Sequence, residues 1–341
     1  MTSDGIAVQT GAPATPRGRR GRRSVDVPAL VERARDGDAR SVARLISLVE
    51  DASPALREVA AALAPHTGGA QVLGLTGSPG VGKSTTTTAL VRALRQAGKR
   101  VGVLAVDPSS PFSGGALLGD RVRMQDHAGD DAVFIRSMAS RGHLGGLSWA
   151  TPQALRVLDA AGCDVVLVET VGVGQSELEI ASLADTTLVL VAPGMGDGIQ
   201  AAKAGILEVA DVFVVNKADR DGAQQAVRDL RYMQSLGGRY SEPGGWRPPI
   251  VKTVASRESE NGIDEVLVRV EEHRVWLESS GEGHRRRAER AAREIEAIAL
   301  AALRERIGDL RGTTALGALA EQVVAGESDP YRAADELVAQ L

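Results

Sequence analysis

The stretch that most constrains the fold of this chain is residues 77–84. Its sequence is GSPGVGKS, in which two glycines at a fixed separation are followed by Lys83 and Ser84. This is the pattern of a phosphate-binding loop. An apolar run at residues 72–76 precedes the loop, and a helical pattern at residues 84–97 follows it. The stretch therefore predicts a strand–loop–helix unit, rather than a glycine-rich turn that binds nothing.

Each part of this loop has a physical role in binding phosphate. Glycines let the backbone curl until successive N–H groups point at phosphate oxygens, and the N-terminus of the helix adds the positive end of its dipole. We expect Lys83 to reach the β- and γ-phosphates of a nucleotide and the Ser84 hydroxyl to bind Mg²⁺.

The composition is that of an ordinary globular protein. The 341 residues are 43% hydrophobic and 25% charged, and their number suits two domains or one domain with appendages. A net charge of −4 and only 3% aromatic residues argue against a nucleic-acid partner. Cys163 is the only cysteine, which suits a reducing compartment. No apolar run approaches the ~18 residues of a membrane helix, so we predict a cytoplasmic protein without a membrane partner.

Four segments can be separated along the chain. Residues 1–24 form an arginine-rich tail, interpreted as disordered; a nucleic-acid or acidic-partner arm and a transit peptide are the alternatives. Residues 25–68 predict two or three short helices, and residues 69–280 predict the nucleotide-binding domain. Residues 281–341 predict a helical extension whose apolar stripe packs against a second copy or on its own domain.

The predicted fold class is α/β: a mostly parallel sheet flanked by helices, as in phosphate-loop nucleotide hydrolases, with helical extensions at both ends. Continuous apolar runs indicate strands that are buried on both faces. The runs after the first strand lie at 101–106, 133–135, 165–168, 187–191, 212–215 and 250–254. Helical patterns lie between most of them, at 149–161, 199–209, 223–236 and 263–277. In such sheets the ligand lies beyond the carboxyl ends of the strands.

A guanine-recognition pattern, Asn-Lys-Ala-Asp, follows the run at 212–215. Asp219 can accept hydrogen bonds from N1–H and the 2-amino group of guanine together, a donor pair that adenine lacks. We expect the Lys217 stem to lie along the base and Asn216 to tie this loop to the phosphate loop.

Acidic residues at two other strand ends are candidate ligands of Mg²⁺. Glu169 follows the run at 165–168 and resembles a Walker-B carboxylate; a helix N-cap is its alternative role. Gly172 could bring its N–H to the γ-phosphate. Asp107 ends the run at 101–106, also near the predicted metal.

Two residues in glycine-rich stretches remain ambiguous from spacing alone. Asp120 closes the loop at 108–119 and could cap a turn or take part in metal binding or catalysis. Lys203 follows the loop at 192–198 and could reach a phosphate, although spacing alone favours a solvated side chain. No histidines lie at metal-ligand spacing, so a transition-metal site is not predicted.

Together these motifs resemble the MeaB/ArgK family, the G-protein chaperones of adenosylcobalamin-dependent methylmalonyl-CoA mutase. The resemblance covers residues 25–341 and includes VDPSS at 106–110, ETVGVGQSE at 169–177 and APGMGD at 192–197. It implies a GTPase of the signal-recognition-particle-like class that forms a homodimer through its C-terminal extension. It also implies that the protein gates adenosylcobalamin delivery to the mutase and protects that enzyme.

The resemblance implies roles for individual residues as well. Asp107 and Glu169 would bind Mg²⁺ directly or through water, Asp120 would lie in a switch loop, and Lys203 would relay the nucleotide state to the mutase. The predicted catalytic residues are Lys83, Asp107, Asp120, Glu169 and Lys203, and the predicted metal ligands are Ser84, Asp107 and Glu169. The predicted residues that contact GTP or GDP are Gly77, Ser78, Pro79, Gly80, Val81, Gly82, Lys83, Ser84, Thr85, Gly172, Asn216, Lys217, Asp219 and Ala255.

Two other classes of function compete with this one. A small-molecule kinase could use the same phosphate loop, but it would prefer ATP, which the guanine pattern argues against. A transport-regulating binding module has no supporting feature in the sequence. No glutamine is placed like the water-orienting residue of Ras-type proteins, so we expect slow intrinsic hydrolysis that a partner raises.

Overall fold

The computed structural model describes residues 25–108, 127, 129–140, 150–170, 176–194, 206–236, 244–307 and 314–339. The tail at 1–24, Asp120, Gly172 and Lys203 lie outside these residues, as does most of the helix expected at 199–209.

A seven-stranded parallel sheet forms the centre of the molecule, which confirms the predicted fold class. Its strands are β1 Gln71–Thr76, β2 Val101–Pro108, β3 Val133–Ser140, β4 Val165–Thr170, β5 Thr186–Val191, β6 Val212–Val215 and β7 Ile250–Lys252. Their order is β3-β2-β4-β1-β5-β6-β7, and every neighbouring pair is parallel. Strand β1 lies between β4 and β5, so the chain moves to one side of β1 first and to the other side later. The crevice at such a reversal is where open α/β sheets bind ligands.

Helices cover both faces of this sheet, and two further helices lie near the C-terminus. In chain order the described helices are α1 Val27–Arg35, α2 Ala39–Glu50, α3 Leu56–Leu63, α4 Lys83–Gln96, α5 Ala150–Ala160, α6 Ser176–Leu183, α7 Ala223–Leu236, α8 Ile263–Ser279, α9 Glu282–Ile307, α10 Thr314–Val324 and α11 Pro330–Ala339. Short 3₁₀ helices lie at Ala64–His66 and Ile206–Val209.

The two faces of the sheet bury different sets of side chains because successive residues of a strand point in opposite directions. Val166 and Val168 of β4 pack with α1, α2, α3, α5 and α6, whereas Leu167 of the same strand packs with α4 and α8. Each of the six residues of β4 is buried, as expected for a central parallel strand.

The N-terminal segment forms three short helices, each with an apolar side against the sheet domain. Asp26 caps α1 by accepting from the Ala29 N–H at 3.1 Å, and Asp38 caps α2 by accepting from the N–H of Arg40 and of Ser41 at 3.2 Å each. Such caps satisfy backbone donors that have no partner within the helix.

The long C-terminal helix α9 packs on the sheet domain through the arginines at its beginning. Arg286 pairs with Asp211 at 3.1 Å, and Arg287 and Arg290 pair with Asp185 at 3.3 and 3.4 Å. Further along, Ile295 and Ile298 are 68% and 54% exposed. The helix is therefore anchored at one end and carries an apolar surface at the other.

Helices α10 and α11 pack against each other around a small apolar cluster of Leu319, Ala333 and Leu337. Within the described part of the chain, none of the helices combines the length and apolar character needed to cross a membrane.

Candidate nucleotide-binding site

The phosphate loop follows β1, and its glycines are required by geometry. Gly77, Gly80 and Gly82 have φ angles of 139°, 79° and 97°, which L-residues with side chains rarely adopt. A Cβ on Gly77 would lie 2.3 Å from the Leu190 carbonyl oxygen, and one on Gly82 would lie 2.4 Å from Asn216 Nδ2. The loop therefore packs closely against β5 and against the segment after β6, and only glycine fits at positions 77 and 82.

Helix α4 begins directly after this loop and presents its first amides to it. Gly82 is the N-cap and offers no side-chain acceptor. The backbone bond that opens the helix runs from the Thr86 N–H to the Gly82 carbonyl at 2.9 Å, so the amides of residues 83–85 precede the intrahelical ladder. Amides in that position form an anion-binding site at a helix N-terminus.

The ammonium group of Lys83 is held within the same loop. Lys83 is only 8% exposed, and its Nζ donates to the carbonyl oxygens of Gly77 at 2.5 Å and Ser78 at 3.2 Å. These contacts keep a positive charge over the loop, where phosphate oxygens would need it.

Two hydroxyl groups of α4 meet the carboxylate of Glu169. Ser84 Oγ donates to Oε1 at 2.6 Å, and Thr87 Oγ1 donates to Oε2 at 2.8 Å. Glu169 is 3% exposed and lies within β4, not at the start of a helix, so the N-cap alternative for this residue is wrong.

The backbone of Asp107 lies at the same edge of the sheet. Ala105 of β2 is opposite Glu169 of β4, and Asp107 comes two residues further toward the carboxyl ends. Hydroxyl and carboxylate oxygens are the ligands that Mg²⁺ prefers, so the contact between Ser84 and Glu169 fits a magnesium site. Among the described residues, no group of three or more His, Cys, Asp or Glu side chains could hold a metal by itself.

Asn216 connects three segments at the predicted guanine side of the site. Its Nδ2 donates to the Val81 carbonyl of the phosphate loop at 2.9 Å. Its Oδ1 accepts from Thr253 Oγ1 and from the Ala255 N–H, both at 3.1 Å. The side chain is 3% exposed and satisfied at both ends, so it fixes the loop after β6 against the loops after β1 and β7.

Lys217 and Asp219 extend from the same loop. Lys217 adopts a left-handed backbone conformation with a φ of 56°, and its Nζ donates to the Gly80 carbonyl at 2.7 Å. Its alkyl stem therefore runs toward the phosphate loop. Asp219 is exposed, so its carboxylate is accessible from solvent.

The structure thus brings the phosphate loop, Glu169, Asn216, Lys217 and Ala255 to one edge of the sheet. The roles of these residues in binding stay predictions, as do those of Asp120, Gly172 and Lys203, whose positions are not described. Thr87 was missed by the sequence analysis. It lies three residues after Ser84, so the two side chains share one face of the helix, and that spacing could have identified it.

Cys163 takes no part in this site. It is buried at the other end of β4, and burial raises the pKa of its thiol to about 12. The thiolate form is therefore scarce near neutral pH.

Comparison with known proteins identifies the family. A family model described as Methylmalonyl Co-A mutase-associated GTPase MeaB matches residues 42–310. This chain belongs to the MeaB family. A relative from Pyrococcus abyssi is 46% identical over 318 residues, which are 92% of this chain and 97% of the relative. GTPase ArgK of Escherichia coli is 40% identical over 256 residues, which are 74% of this chain and 77% of that protein.

A solved structure supports the same assignment. The crystal structure named LAO/AO transport system kinase matches with a TM-score of 0.69 at 28% identity, covering 92% of this chain and 96% of that one. Family membership and the phosphate-loop fold together make this chain a GTPase of the MeaB family, which hydrolyses GTP to GDP and phosphate.

Proposed function

We propose that this GTPase gates the delivery of adenosylcobalamin to methylmalonyl-CoA mutase and protects that enzyme. The observation that carries the proposal is the match of residues 42–310 to a family whose description names association with this mutase. In this proposal, GTP hydrolysis changes the conformation of the protein rather than a metabolite.

The phosphates of GTP would bind to the amides of the loop and of the first turn of α4. Lys83 would exchange its contacts with the Gly77 and Ser78 carbonyls for the β- and γ-phosphate oxygens, because the charged oxygens are stronger acceptors. Gly172 would offer its N–H to the γ-phosphate.

Ser84, Glu169 and Asp107 would hold Mg²⁺, directly or through water. Bound Mg²⁺ would neutralise part of the charge on the β- and γ-phosphate oxygens. The hydrogen bond between Ser84 and Glu169 already brings a hydroxyl and a carboxylate to within 2.6 Å of each other, so these residues need little rearrangement to accept a cation. Asp120 and Lys203 would act in the segments that respond to the γ-phosphate.

Guanine would be selected by Asp219, with the stem of Lys217 along the base. The loop that carries both residues is positioned by Asn216, which also contacts Val81 in the phosphate loop. Base and phosphate recognition are therefore joined by one buried side chain.

We also propose that two copies associate through the C-terminal helices, whose exposed apolar side chains support an interface. The partner of this homodimer would be the mutase, and neither a nucleic acid nor a membrane is part of the proposal.

The mutase partnership is tested by the rate of GTP hydrolysis. Adding purified methylmalonyl-CoA mutase to the full chain should raise the steady-state rate in a saturable way, because the sequence predicts slow intrinsic hydrolysis that a partner raises. The Lys83→Ala variant should show no such rise. An unchanged wild-type rate across a concentration series of the mutase would count against the partner but leave the GTPase assignment intact.

A further inference from the structure

The carboxylate of Glu169 contacts a hydroxyl on each side, although only one of these hydroxyls belongs to the phosphate-loop pattern. Ser84 Oγ lies 2.6 Å from Oε1, and Thr87 Oγ1 lies 2.8 Å from Oε2. Thr87 is completely buried, and Glu169 is 3% exposed. A contact between two buried polar groups in a packed core fixes the side chains that make it.

The hydroxyl proton of Thr87 forms a stronger hydrogen bond with Glu169 than with the backbone of its own helix. Thr87 Oγ1 also lies 3.1 Å from the Lys83 carbonyl one turn earlier, but a hydroxyl has a single proton to donate. The carboxylate is both closer and the stronger acceptor, because hydrogen bonds to an ionised acceptor are shorter and stronger than those to a neutral carbonyl.

The two hydroxyl groups would differ in whether they keep their contact with Glu169 when Mg²⁺ binds. Ser84 lies at the start of α4 beside the phosphate loop and would turn its oxygen lone pairs toward Mg²⁺. Thr87 lies one turn deeper, at 0% exposure, and remains available to Glu169.

We propose that Thr87 is a positioning residue of the magnesium site, which holds Oε2 of Glu169 so that Oε1 faces Ser84 and the cation. This inference rests on the proposed magnesium-dependent binding of GTP and adds to it a residue outside the loop pattern. Removing a residue that forms a hydrogen bond with a metal ligand commonly lowers the metal affinity by about 10–100-fold.

The test is a titration of Mg²⁺ against a fluorescent GTP analogue bound to the full chain. Thr87→Val removes the hydroxyl and keeps the branched shape. We expect it to raise the midpoint of the titration, the Mg²⁺ concentration at which half of the magnesium-dependent gain in nucleotide affinity is reached, by about tenfold or more. Nucleotide affinity in EDTA should stay within about twofold of wild type, because Thr87 is completely buried beneath the first turn of α4. Thr87→Ser, which restores the hydroxyl, should return the midpoint to near the wild-type value.

Thr86→Val is the matched control. Thr86 is also completely buried on α4 and makes the same kind of back-bond, from Oγ1 to the Gly82 carbonyl at 2.9 Å. That carbonyl keeps its bond from the Thr86 N–H in the variant. We therefore expect Thr86→Val to have the same Mg²⁺ midpoint as the wild type.

The outcomes separate this inference from the function on which it rests. An unchanged midpoint in Thr87→Val, with normal magnesium dependence in the wild type, would overturn the role of Thr87 alone. Wild-type protein that binds the analogue equally well with and without Mg²⁺ would overturn both. If Thr87→Val does not fold, as judged by its thermal unfolding, Thr87→Ala is measured in its place and must show the same shift.

Discussion

Asn216 shows how one side chain can organise a binding site. Its amide donates to the Val81 carbonyl and accepts from Thr253 and Ala255, so it makes three hydrogen bonds while almost fully buried. The sequence predicted its link to the phosphate loop from the motif. Ala255 was predicted as a nucleotide contact, but the bonds of Thr253 and Ala255 to Asn216 were not foreseen, because the loop after β7 carries no comparable motif.

His273 is a buried residue outside the site whose charge state matters for stability. Its Nδ1 lies 2.8 Å from Thr186 Oγ1, and its ring stacks on that of Trp276 with the ring centroids 5.5 Å apart. Burial lowers the pKa of His273 below its ordinary value, and this effect outweighs the opposing influence of Asp211, whose Oδ1 lies 3.3 Å from Nε2. Arg286 lowers the pKa further, while Asp185 and Glu282 oppose that shift.

We predict that the free energy of unfolding falls as the pH is lowered through about 6.5. The unfolded chain takes up a proton on His273 in this range, whereas the folded chain resists protonation until the pH reaches the lowered pKa. His273→Gln should flatten this part of the profile, measured by urea unfolding between pH 7.5 and 5.5. His284→Gln, at an exposed position, should leave the slope unchanged, and an equal slope in His273→Gln would contradict the prediction.

At the scale of elements, the strands were the easiest part to predict. Apolar runs located all seven because the central strands are buried on both faces. Strand β3 was predicted at 133–135 but extends to Ser140. The apolar run ends at Arg136, whose guanidinium group pairs with Glu50 of α2, and this long-range contact could not be read from the sequence.

The contacts that anchor α9 could not be predicted from the sequence. The charged start of this helix was expected, but its partners are distant in the chain: Asp211 lies 75 residues before Arg286, and Asp185 lies 105 residues before Arg290. Each of these carboxylates precedes a strand and also accepts from the backbone of a neighbouring strand. Asp185 accepts from the Val72 N–H at 3.0 Å, and Asp211 from the Thr187 N–H at 2.8 Å. The same two side chains therefore fix the sheet and the C-terminal helix.

We predict that Asp185→Ala lowers the free energy of unfolding by about 1.5–3 kcal/mol, because it removes a buried charged acceptor from Arg290, whose side chain is 20% exposed. The Val72 N–H would lose its acceptor as well. Urea unfolding at neutral pH measures the change. Glu272→Ala removes an exposed pair with Arg269 and should cost about 1 kcal/mol or less. Equal, small effects in both variants would show that Asp185 does not anchor α9.

At the scale of the whole molecule, helical segments lie before and after a sheet domain that carries the nucleotide site. The C-terminal segment exposes apolar side chains, among them Ile295, Ile298 and Leu303. A groove of about 530 Å³ lies beside this surface, between α9 and the helices α3, α5 and α6. Its lining includes Ala297, Ile298, Ala301 and Ala302, so a second copy could bury a continuous apolar strip.

We predict that the full chain is a homodimer in light scattering at micromolar concentration. Ile298→Asp should shift it toward the monomer, because an unpaired carboxylate in an apolar interface is costly to desolvate. Glu296→Asp, a neighbouring change that preserves charge, should leave the mass unchanged. A wild-type mass equal to that of one chain would contradict the dimer.

The central claim is that residues 77–84 and 216–219 together bind a guanine nucleotide, and competition calorimetry in magnesium buffer tests it most directly. GTP and GDP should bind at one site per chain, and ATP should bind much more weakly. Asp219→Ala should lose about tenfold or more of this preference while keeping triphosphate binding, since hydrogen bonds to a charged group contribute about 1.5–3 kcal/mol. Asp221→Ala, an exposed change in the same loop, should keep the preference. Folded protein that gives no heat with GTP or GDP, or that binds ATP equally well, would contradict the account.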